Sequence, residues 1–171
     1  MKKAALLVVI LLFLGQPVSY ASYAVIDGHT ARIFYASSPH VKMPIASLTK
    51  MWTALVVIEN AELDELVTVS KKATLSEGSS IYLKEGEQVT VNELLHGLMM
   101  RSGNDAAMAL AEHVGGSEQG FVFLMNERAK RAGLRNTTFT NPSGLHHDEH
   151  LSTAYDTAKM LQIAMRKIGR A

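Results

Sequence analysis

The chain has 171 residues, of which 47% are hydrophobic and 19% are charged, and it contains no cysteine. This composition supplies enough apolar material for a folded core and argues against a disordered chain, and the length suggests one domain. The formal net charge of +1 gives no electrostatic case for nucleic acid as a partner. The absence of cysteine excludes disulfides and thiolate catalysis.

The N-terminus has the pattern of a secretory signal peptide. Two lysines precede an unbroken apolar run, Ala4 to Leu14, and S-Y-A at residues 19–21 places small residues where a signal peptidase reads them. A transmembrane anchor is the alternative, but the run is shorter than the ~20 residues of a span. We predict that residues 1–21 are a signal peptide, that cleavage follows Ala21, and that residues 22–171 form the mature domain outside the cytoplasmic membrane.

The mature chain reads as a helical cluster with a small amount of strand at its start. Thr90 with Glu93 forms a capping box, and Thr153 with Asp156 repeats the same logic before the last helix. The predicted elements in chain order are strands at 23–27 and 32–35 joined as a hairpin, a helix at 47–60, extended segments at 67–69 and 88–91, and helices after 90, at 105–114, at 117–133 and from 153 onward.

The segment PIASLTK, residues 44–50, places Ser47 three positions before Lys50 at the start of an apolar helix. Residues at i and i+3 share a helix face, so the two side chains face the same way if the helix begins near Ser47. Burial favours the neutral amine, which would make Lys50 a base for the serine hydroxyl. The plain alternative is a helix-capping serine followed by a surface lysine, because S-x-x-K is short enough to occur by chance.

A second pattern, Ser102-Gly103-Asn104, interrupts the helical periodicity and should lie on a loop between two helices. The Ser102 hydroxyl there would relay a proton to a leaving amine. The Asn104 amide would bond both the substrate backbone and Lys50. An inter-helix turn in which Asn104 caps the following helix is the alternative. The two patterns in this order are more specific than either one alone.

S-x-x-K followed by S-x-N resembles the motifs of penicillin-binding proteins and serine β-lactamases. The surrounding sequence resembles, from about Tyr23 to Arg166, the low-molecular-mass D-alanyl-D-alanine carboxypeptidases. The segments that carry this resemblance are PIASLTKMWTAL, GSSIYLKEGEQVTVNELLHGLMMRSGNDAAMALAEHVGGS and FVFLMNERAKRAGLRNTTFTNPSGLHHDEHLSTAYDTAKM. The resemblance implies an α+β, β-lactamase/transpeptidase-like fold.

The resemblance also implies a mechanism and partners. Ser47 would be the acylated nucleophile, Lys50 the general base, Ser102 the proton relay and Asn104 a substrate-binding residue. The substrates would be peptidoglycan stem peptides ending in D-Ala-D-Ala, and β-lactam antibiotics would acylate the same serine. The resemblance implies no metal or organic cofactor, and membrane association is expected only of a full-length form.

The third motif of these families, K-T-G, does not occur in the chain. In the family this motif binds the substrate's terminal carboxylate and lies beside the oxyanion hole. Its absence predicts that the chain is the N-terminal portion of a longer family protein and that it exposes apolar helix faces. An inactive fragment or peptide-binding remnant is therefore an alternative to an active carboxypeptidase. A serine β-lactamase is a further alternative, against which stand Gly103 and the absence of E-x-x-L-N after Ser102.

The segment HHDEH at residues 146–150 has histidines spaced as metal ligands on a helix would be. It follows Pro142 and Gly144 and precedes a helix cap, so we predict a loop here and no metal site. Trp52 is predicted as a core residue. The helical methionines are predicted as core as well: Met99, Met100, Met108, Met125, Met160 and Met165.

Overall fold

The computed structural model describes residues 21–168, so the predicted signal peptide lies outside the described residues except for Ala21. Within residues 21–168, no helix is long and apolar enough to cross a membrane. The elements are strands β1 (Tyr23–Ile26) and β2 (Ile33–Ser37), a 3-10 turn (Ala46–Leu48), α1 (Thr49–Ile58), β3 (Leu66–Thr68), α2 (Lys71–Thr74), β4 (Gln88–Thr90), α3 (Val91–Met100), α4 (Asn104–Gly115), α5 (Glu118–Arg131) and α6 (Ala154–Ile168).

Helix α1 fills the centre of the molecule and contacts α3, α4, α5 and α6. A helix that is apolar on nearly every side belongs in the interior, and most of α1 is buried. Trp52 is fully buried, and its indole N–H donates to the Met125 carbonyl oxygen at 3.1 Å. The prediction of Trp52 as core is therefore confirmed. The largest fully buried side chains are Trp52, Phe121, Phe139, Leu55, Leu94, Leu98, Leu110, Met125 and Met160.

The methionine prediction is only partly right. Met125 and Met160 are fully buried, and Met108 packs against the core. Met99, Met100 and Met165 are each more than half exposed, so their prediction as core was wrong. These residues were predicted as core filling because methionine suits helical cores, but residue type does not show which part of a helix is covered.

Two separate antiparallel strand pairs flank the helices. The predicted hairpin is confirmed, with β1 paired to β2 through Tyr23↔Ser37 and Val25↔Tyr35, and a bulge after Val25. It packs on α6, where the Gln162 amide donates to the Asp27 carbonyl oxygen at 3.2 Å. The second pair, β3 with β4, joins the two predicted extended segments and leads into α3.

Local capping rules set the helix boundaries. At the start of α3, Thr90 Oγ1 accepts from the Glu93 N–H while the Glu93 carboxylate accepts from the Thr90 N–H, which confirms the predicted capping box. Ser117 caps α5 through the Gly120 N–H at 3.0 Å. Gly116, which ends α4, adopts a φ of 68° that favours glycine. With α3 ending at Met100 and α4 beginning at Asn104, residues 101–103 form the loop between them.

Candidate active site

Ser47 and Lys50 meet at the beginning of α1. Ser47 lies in the 3-10 turn and is exposed, whereas Lys50 is only 4% exposed. Lys50 Nζ lies 3.5 Å from Ser47 Oγ. Catalytic hydrogen bonds are often this long when no substrate is present and tighten when it binds. The predicted common orientation of the two side chains is therefore what the structure shows.

The backbone just before Ser47 is strained. Ala46 has a φ of 45°, in the left-handed region that a residue with a Cβ rarely occupies. Such conformations cost about 1–3 kcal/mol each and persist only where the surroundings enforce them. Here the enforcing neighbour is Gly144, where an added Cβ would overlap the Ala46 carbonyl oxygen. The close approach of these two backbones sets the turn that presents Ser47.

Lys50 finds its main partner in a loop that is distant in sequence. Its Nζ donates to the Ser143 carbonyl oxygen at 2.8 Å. Desolvation by burial lowers the pKa of the Lys50 amine from its ordinary value. No carboxylate accepts from this amine in residues 21–168. Burial therefore shifts Lys50 toward the neutral amine, the direction that the sequence predicted for a lysine in apolar surroundings.

The turn containing Ser143 is built by one asparagine. The Asn141 side-chain oxygen accepts from the Gly144 N–H at 2.7 Å and from the Ser143 N–H at 3.2 Å. This side-chain turn is the kind that asparagine forms with the residues just after it. It orients the Ser143 carbonyl toward Lys50. Asn141 Nδ2 also donates to the Leu145 carbonyl oxygen at 2.9 Å, which closes the turn from its other end.

Ser102 completes the cluster around the serine. Ser102 Oγ donates to Ser47 Oγ at 3.2 Å. Ser102 also has a left-handed backbone, with a φ of 55°. The structure thus brings together three of the four predicted site residues around the Ser47 hydroxyl.

Asn104 is placed differently from the prediction. Its Nδ2 donates to the Glu77 carbonyl oxygen at 2.5 Å, and its backbone N–H donates to the Ser79 carbonyl oxygen at 2.7 Å. The expected hydrogen bond to Lys50 is not formed, and Lys50 Nζ donates to the Ser143 carbonyl and to Ser47 Oγ instead. Asn104 Oδ1 is buried and has no hydrogen-bond partner in the described residues.

Asp105 fastens that loop to the start of α4. Its carboxylate accepts from Ser80 Oγ at 2.6 Å and from the backbone N–H groups of Ile81 and Leu83 at 3.1 Å. Burial alone would raise the pKa of Asp105, but these hydrogen bonds and that from the Ala106 N–H together lower it. An ionised Asp105 therefore holds the loop that grips Asn104.

His150 supports α1 from beneath the site. The Thr140 N–H donates to His150 Nδ1 at 3.1 Å, so Nδ1 is the acceptor and the ring proton lies on Nε2, which donates to Thr49 Oγ1 at 2.8 Å. Desolvation by burial, with a smaller repulsion from His147, lowers the pKa of His150 to about 4. The ring is therefore neutral near pH 7.

The HHDEH segment is a loop, as predicted. His150 is 2% exposed and turned inward to Thr49 and Thr140, whereas His146 is exposed and lies 3.6 Å from Asp148. Helical spacing does not apply to them, and the two rings face different surroundings. Within residues 21–168, no group of three or more His, Cys, Asp or Glu side chains is arranged to hold a metal ion.

Ser47 opens onto an apolar groove of about 510 Å³ between α1, α3 and α6. Leu48, Met99 and Met165 line it and are each more than half exposed. Apolar helix faces are therefore exposed, as predicted, and Ser47 is one of the residues that line the groove between them.

Several residues of the site were missed at the sequence level. Ser143, Glu77 and Ser79 act through backbone carbonyls, so their side chains carry no signal. Asn141 and Gly144 did carry a signal in the sequence, since N-P-S-G is typical of a turn. The pattern could not predict that this turn packs against the start of α1. Asp105 could have been noticed as an acid in the first turn of a helix.

The grouping of Ser47, Lys50 and Ser102 at the start of a buried helix in an α+β fold is typical of the S-x-x-K class of serine hydrolases. The chain matches the family model described as D-alanyl-D-alanine carboxypeptidase, Peptidase_S11, over residues 15–170. The chain therefore belongs to the D-alanyl-D-alanine carboxypeptidase family, and the predicted family is confirmed.

Individual relatives agree with this assignment. The chain is 40% identical over 144 residues to D-alanyl-D-alanine carboxypeptidase DacF of Bacillus subtilis, covering 81% of this chain and 37% of DacF. The crystal structure of DacD from Francisella tularensis superposes with a TM-score of 0.82 at 36% identity, covering 88% of this chain and 38% of that one. The crystal structure of penicillin binding protein 5 from Haemophilus influenzae superposes with a TM-score of 0.83 at 33% identity, covering 90% of this chain and 47% of that one.

These superpositions confirm the predicted α+β, transpeptidase-like fold. The chain spans about two fifths of the length of the curated relatives it matches.

We predict that Gly144→Ala lowers the free energy of unfolding by about 2 kcal/mol more than Gly86→Ala does. Both glycines have positive φ, 84° and 80°, so both variants carry the same backbone strain of about 1–2 kcal/mol. Only at Gly144 does the new Cβ meet Ala46 and, at 2.9 Å, Thr49 Oγ1, whereas nothing lies within 4 Å at Gly86. Urea unfolding measures the difference, and equal losses would refute the role of close approach.

We predict that His150 makes stability fall between pH 6.5 and about 4. Its folded-state pKa is lowered to about 4, so the unfolded chain takes up the proton first. The stabilisation is complete above pH 6.5 and decreases as the pH falls to about 4, by up to ~3 kcal/mol. Urea titrations between pH 6.5 and about 5, above the range in which carboxylates take up protons, should show the slope in the wild type and in His146→Gln, and not in His150→Gln. A slope that persists in His150→Gln would contradict the assignment.

Proposed function

We propose that the chain carries the acylation machinery of a serine-type D-alanyl-D-alanine carboxypeptidase. The observation that carries this proposal is the convergence on Ser47 Oγ of Lys50 Nζ, at 3.5 Å, and Ser102 Oγ, at 3.2 Å. Ser47 is exposed to an incoming substrate while Lys50 is buried beside it. An accessible nucleophile with a desolvated base is the arrangement that covalent serine catalysis needs.

In the proposed reaction, Ser47 Oγ attacks the carbonyl carbon between two D-alanine residues at the end of a peptidoglycan stem peptide. The neutral Lys50 amine accepts the hydroxyl proton, and Ser102 Oγ passes a proton to the departing D-alanine amine. Asn104 orients the acyl part of the peptide. Water then hydrolyses the acyl-enzyme. A β-lactam would acylate Ser47 through the same first step.

Two features of the Lys50 environment support its assignment as the base: a hydrogen bond that fixes its position, and burial without a carboxylate partner in the described residues. The Lys50 amine donates a hydrogen bond to the Ser143 carbonyl, which fixes the amine next to the serine. Burial lowers its pKa, and no carboxylate in the described residues opposes that effect by pairing with it. A lysine paired with an acid would instead keep its proton.

We expect a fluorescent penicillin to label the wild-type chain covalently and to leave Ser47→Ala unlabelled. Lys50→Arg retains a positive charge but supplies no base near neutral pH, so its labelling rate should fall at least about 100-fold. Gel fluorescence over time and intact mass measure the adduct, and circular dichroism verifies folding of each variant. A folded wild-type chain that takes no label, or Lys50→Arg labelled at the wild-type rate, would overturn the proposal.

We also propose that residues 1–21 direct export, so that the chain works where peptidoglycan is assembled. The charged, apolar and small-residue regions of this segment support the proposal. N-terminal sequencing of the chain recovered outside the cytoplasm of a bacterial host should begin at Ser22. Recovery only from the cytoplasm, with Met1 intact, would count against export.

A further inference from the structure

The charges of this chain are unevenly distributed along its sequence. Residues 59–127 contain 12 aspartates and glutamates but only 4 lysines and arginines, whereas residues 128–168 contain 3 acids and 7 bases. The small net charge of +1 therefore conceals an acidic segment followed by a basic one. An asymmetry of this kind indicates that the basic part of the surface attracts anionic partners.

A polar cavity of about 340 Å³ lies within the basic segment, between the loop that follows α5 and the start of α6. It shares no lining residue with the apolar groove at Ser47. Apart from Gly133, the residues that line it are polar or charged: His40, Arg135, Asn136, Tyr155, Asp156 and Lys159. A ligand of this cavity must therefore be recognised through charge and hydrogen bonds.

Two cationic side chains of the cavity have no acidic partner. Neither Arg135 nor Lys159 forms an ion pair with a carboxylate among the described residues. Arg128 is different, because its Nε and Nη2 donate to the Glu59 carboxylate at 2.6 and 3.0 Å. Lys159 Nζ has one contact, with the Gly133 carbonyl oxygen at 3.4 Å, so its other hydrogens are left for a ligand.

The acid of the cavity is committed to the protein itself. Asp156 is 2% exposed, and its Oδ2 accepts from the Asn136 N–H and from Thr137 Oγ1, both at 2.9 Å. The lining therefore holds two positive charges against one negative charge, and the negative one is bonded to the loop. An anion that enters the cavity is attracted to the two remaining cations.

The donors of the cavity come from three parts of the chain. Arg135 and Asn136 belong to the loop after α5, and Lys159 belongs to α6. His40 lies between β2 and α1, and its ring packs edge-on against Tyr155 with the ring centroids 5.2 Å apart. Donors that surround one space suit a phosphate group, whose oxygens point in tetrahedral directions, better than a carboxylate, whose two oxygens lie in one plane.

We propose that this cavity binds a phosphate group of an anionic polymer, with Arg135 and Lys159 as the binding residues. A polymer is favoured over a free phosphate ion because two further exposed bases, Lys130 and Arg131, lie in the last turn of α5 just before the loop. Neighbouring phosphate groups of the same polymer would contact them. The inference goes beyond the proposed carboxypeptidase activity, since it assigns the chain a second partner at a separate surface.

The lining residues also favour a polymer over an anionic membrane. Binding at a membrane interface needs exposed apolar side chains beside the bases, and the Tyr155 ring is the one apolar group among the residues that line this cavity. A phosphate-bearing polymer of the cell wall is favoured over nucleic acid because we propose that the chain is exported.

Titration calorimetry of the full chain with poly(glycerol phosphate) at low salt tests the proposal. Arg135→Gln and Lys159→Gln should each weaken binding at least about tenfold, because each removes a charge-assisted hydrogen bond. Lys84→Gln is the matched control, since it removes the same charge from an exposed site in the acidic segment, and it should bind within twofold of wild type. Ser47→Ala should bind as the wild type does, which separates this result from the proposed function.

Three outcomes would overturn the proposal. Equal losses in Lys84→Gln and Arg135→Gln would show diffuse attraction in place of a site. Polyglutamate bound as tightly as the phosphate polymer would remove the assignment to phosphate. Vesicles of phosphatidylglycerol that bind through Arg135 while the polymer does not would replace the polymer by a membrane.

The remaining results bear on the site directly. Inorganic phosphate should compete with the polymer, and raised salt should weaken binding by screening. A folded wild-type chain that binds no polymer would refute the inference whether or not penicillin labels Ser47. Arg135 is exposed, so Arg135→Gln should fold normally, and circular dichroism verifies this.

Discussion

The helix that fills the centre of this molecule carries three buried polar side chains, and one loop satisfies all of them. Thr49 bonds His150 at 2.8 Å, Lys50 bonds the Ser143 carbonyl at 2.8 Å, and Thr53 bonds the Pro142 carbonyl at 2.7 Å. Leaving any of these groups unsatisfied in the core would be costly. The same contacts that make the core stable therefore fix Lys50 relative to Ser47. The site and the core cannot be loosened independently.

Backbone strain at the site follows from this attachment. Ala46 and Ser102 both occupy left-handed conformations, and each lies beside a loop that is tightly bonded. The turn at Gly144 passes so close to Ala46 that no Cβ would fit there, while Asp105 bonds the loop that holds Asn104. Strain of this kind preorganises a site only when its surroundings are rigid. The hydrogen bonds of the two loops supply that rigidity.

Local features were predictable from sequence, and distant pairings were not. The i, i+3 spacing of Ser47 and Lys50 determines their common face, and the Thr90 capping box marks a helix start without any tertiary information. By contrast, Lys50 and the Ser143 carbonyl are 93 residues apart. Backbone acceptors have no signature in the residue type, so neither this contact nor the grip of the Glu77 carbonyl on Asn104 could be predicted.

The same limit explains the errors. Asn104 was expected to bond Lys50 because both belong to the site, but the Lys50 amine donates to the Ser143 carbonyl and the Asn104 amide donates to the Glu77 carbonyl. Met99, Met100 and Met165 were assigned to the core because methionine is a common core-filling residue on helices, but residue type alone does not tell which positions are covered. Local patterns alone predicted only a cluster of helices with short strands. The transpeptidase-like fold was predicted from the resemblance to a family.

Charge in the interior near Ser47 is low, and this bears on the proposed chemistry. Burial lowers the pKa of both Lys50 and His150, so both groups beneath the serine are shifted toward their neutral forms. The carboxylate of Asp105 is ionised but is committed to the loop at residues 80–83. In the proposed reaction, transfer of the Ser47 proton to Lys50 would create a cation that no carboxylate in the described residues pairs with, beside the developing oxyanion. In a medium of low polarity that cation attracts the anion strongly and is itself unstable, which favours return of the proton in the next step.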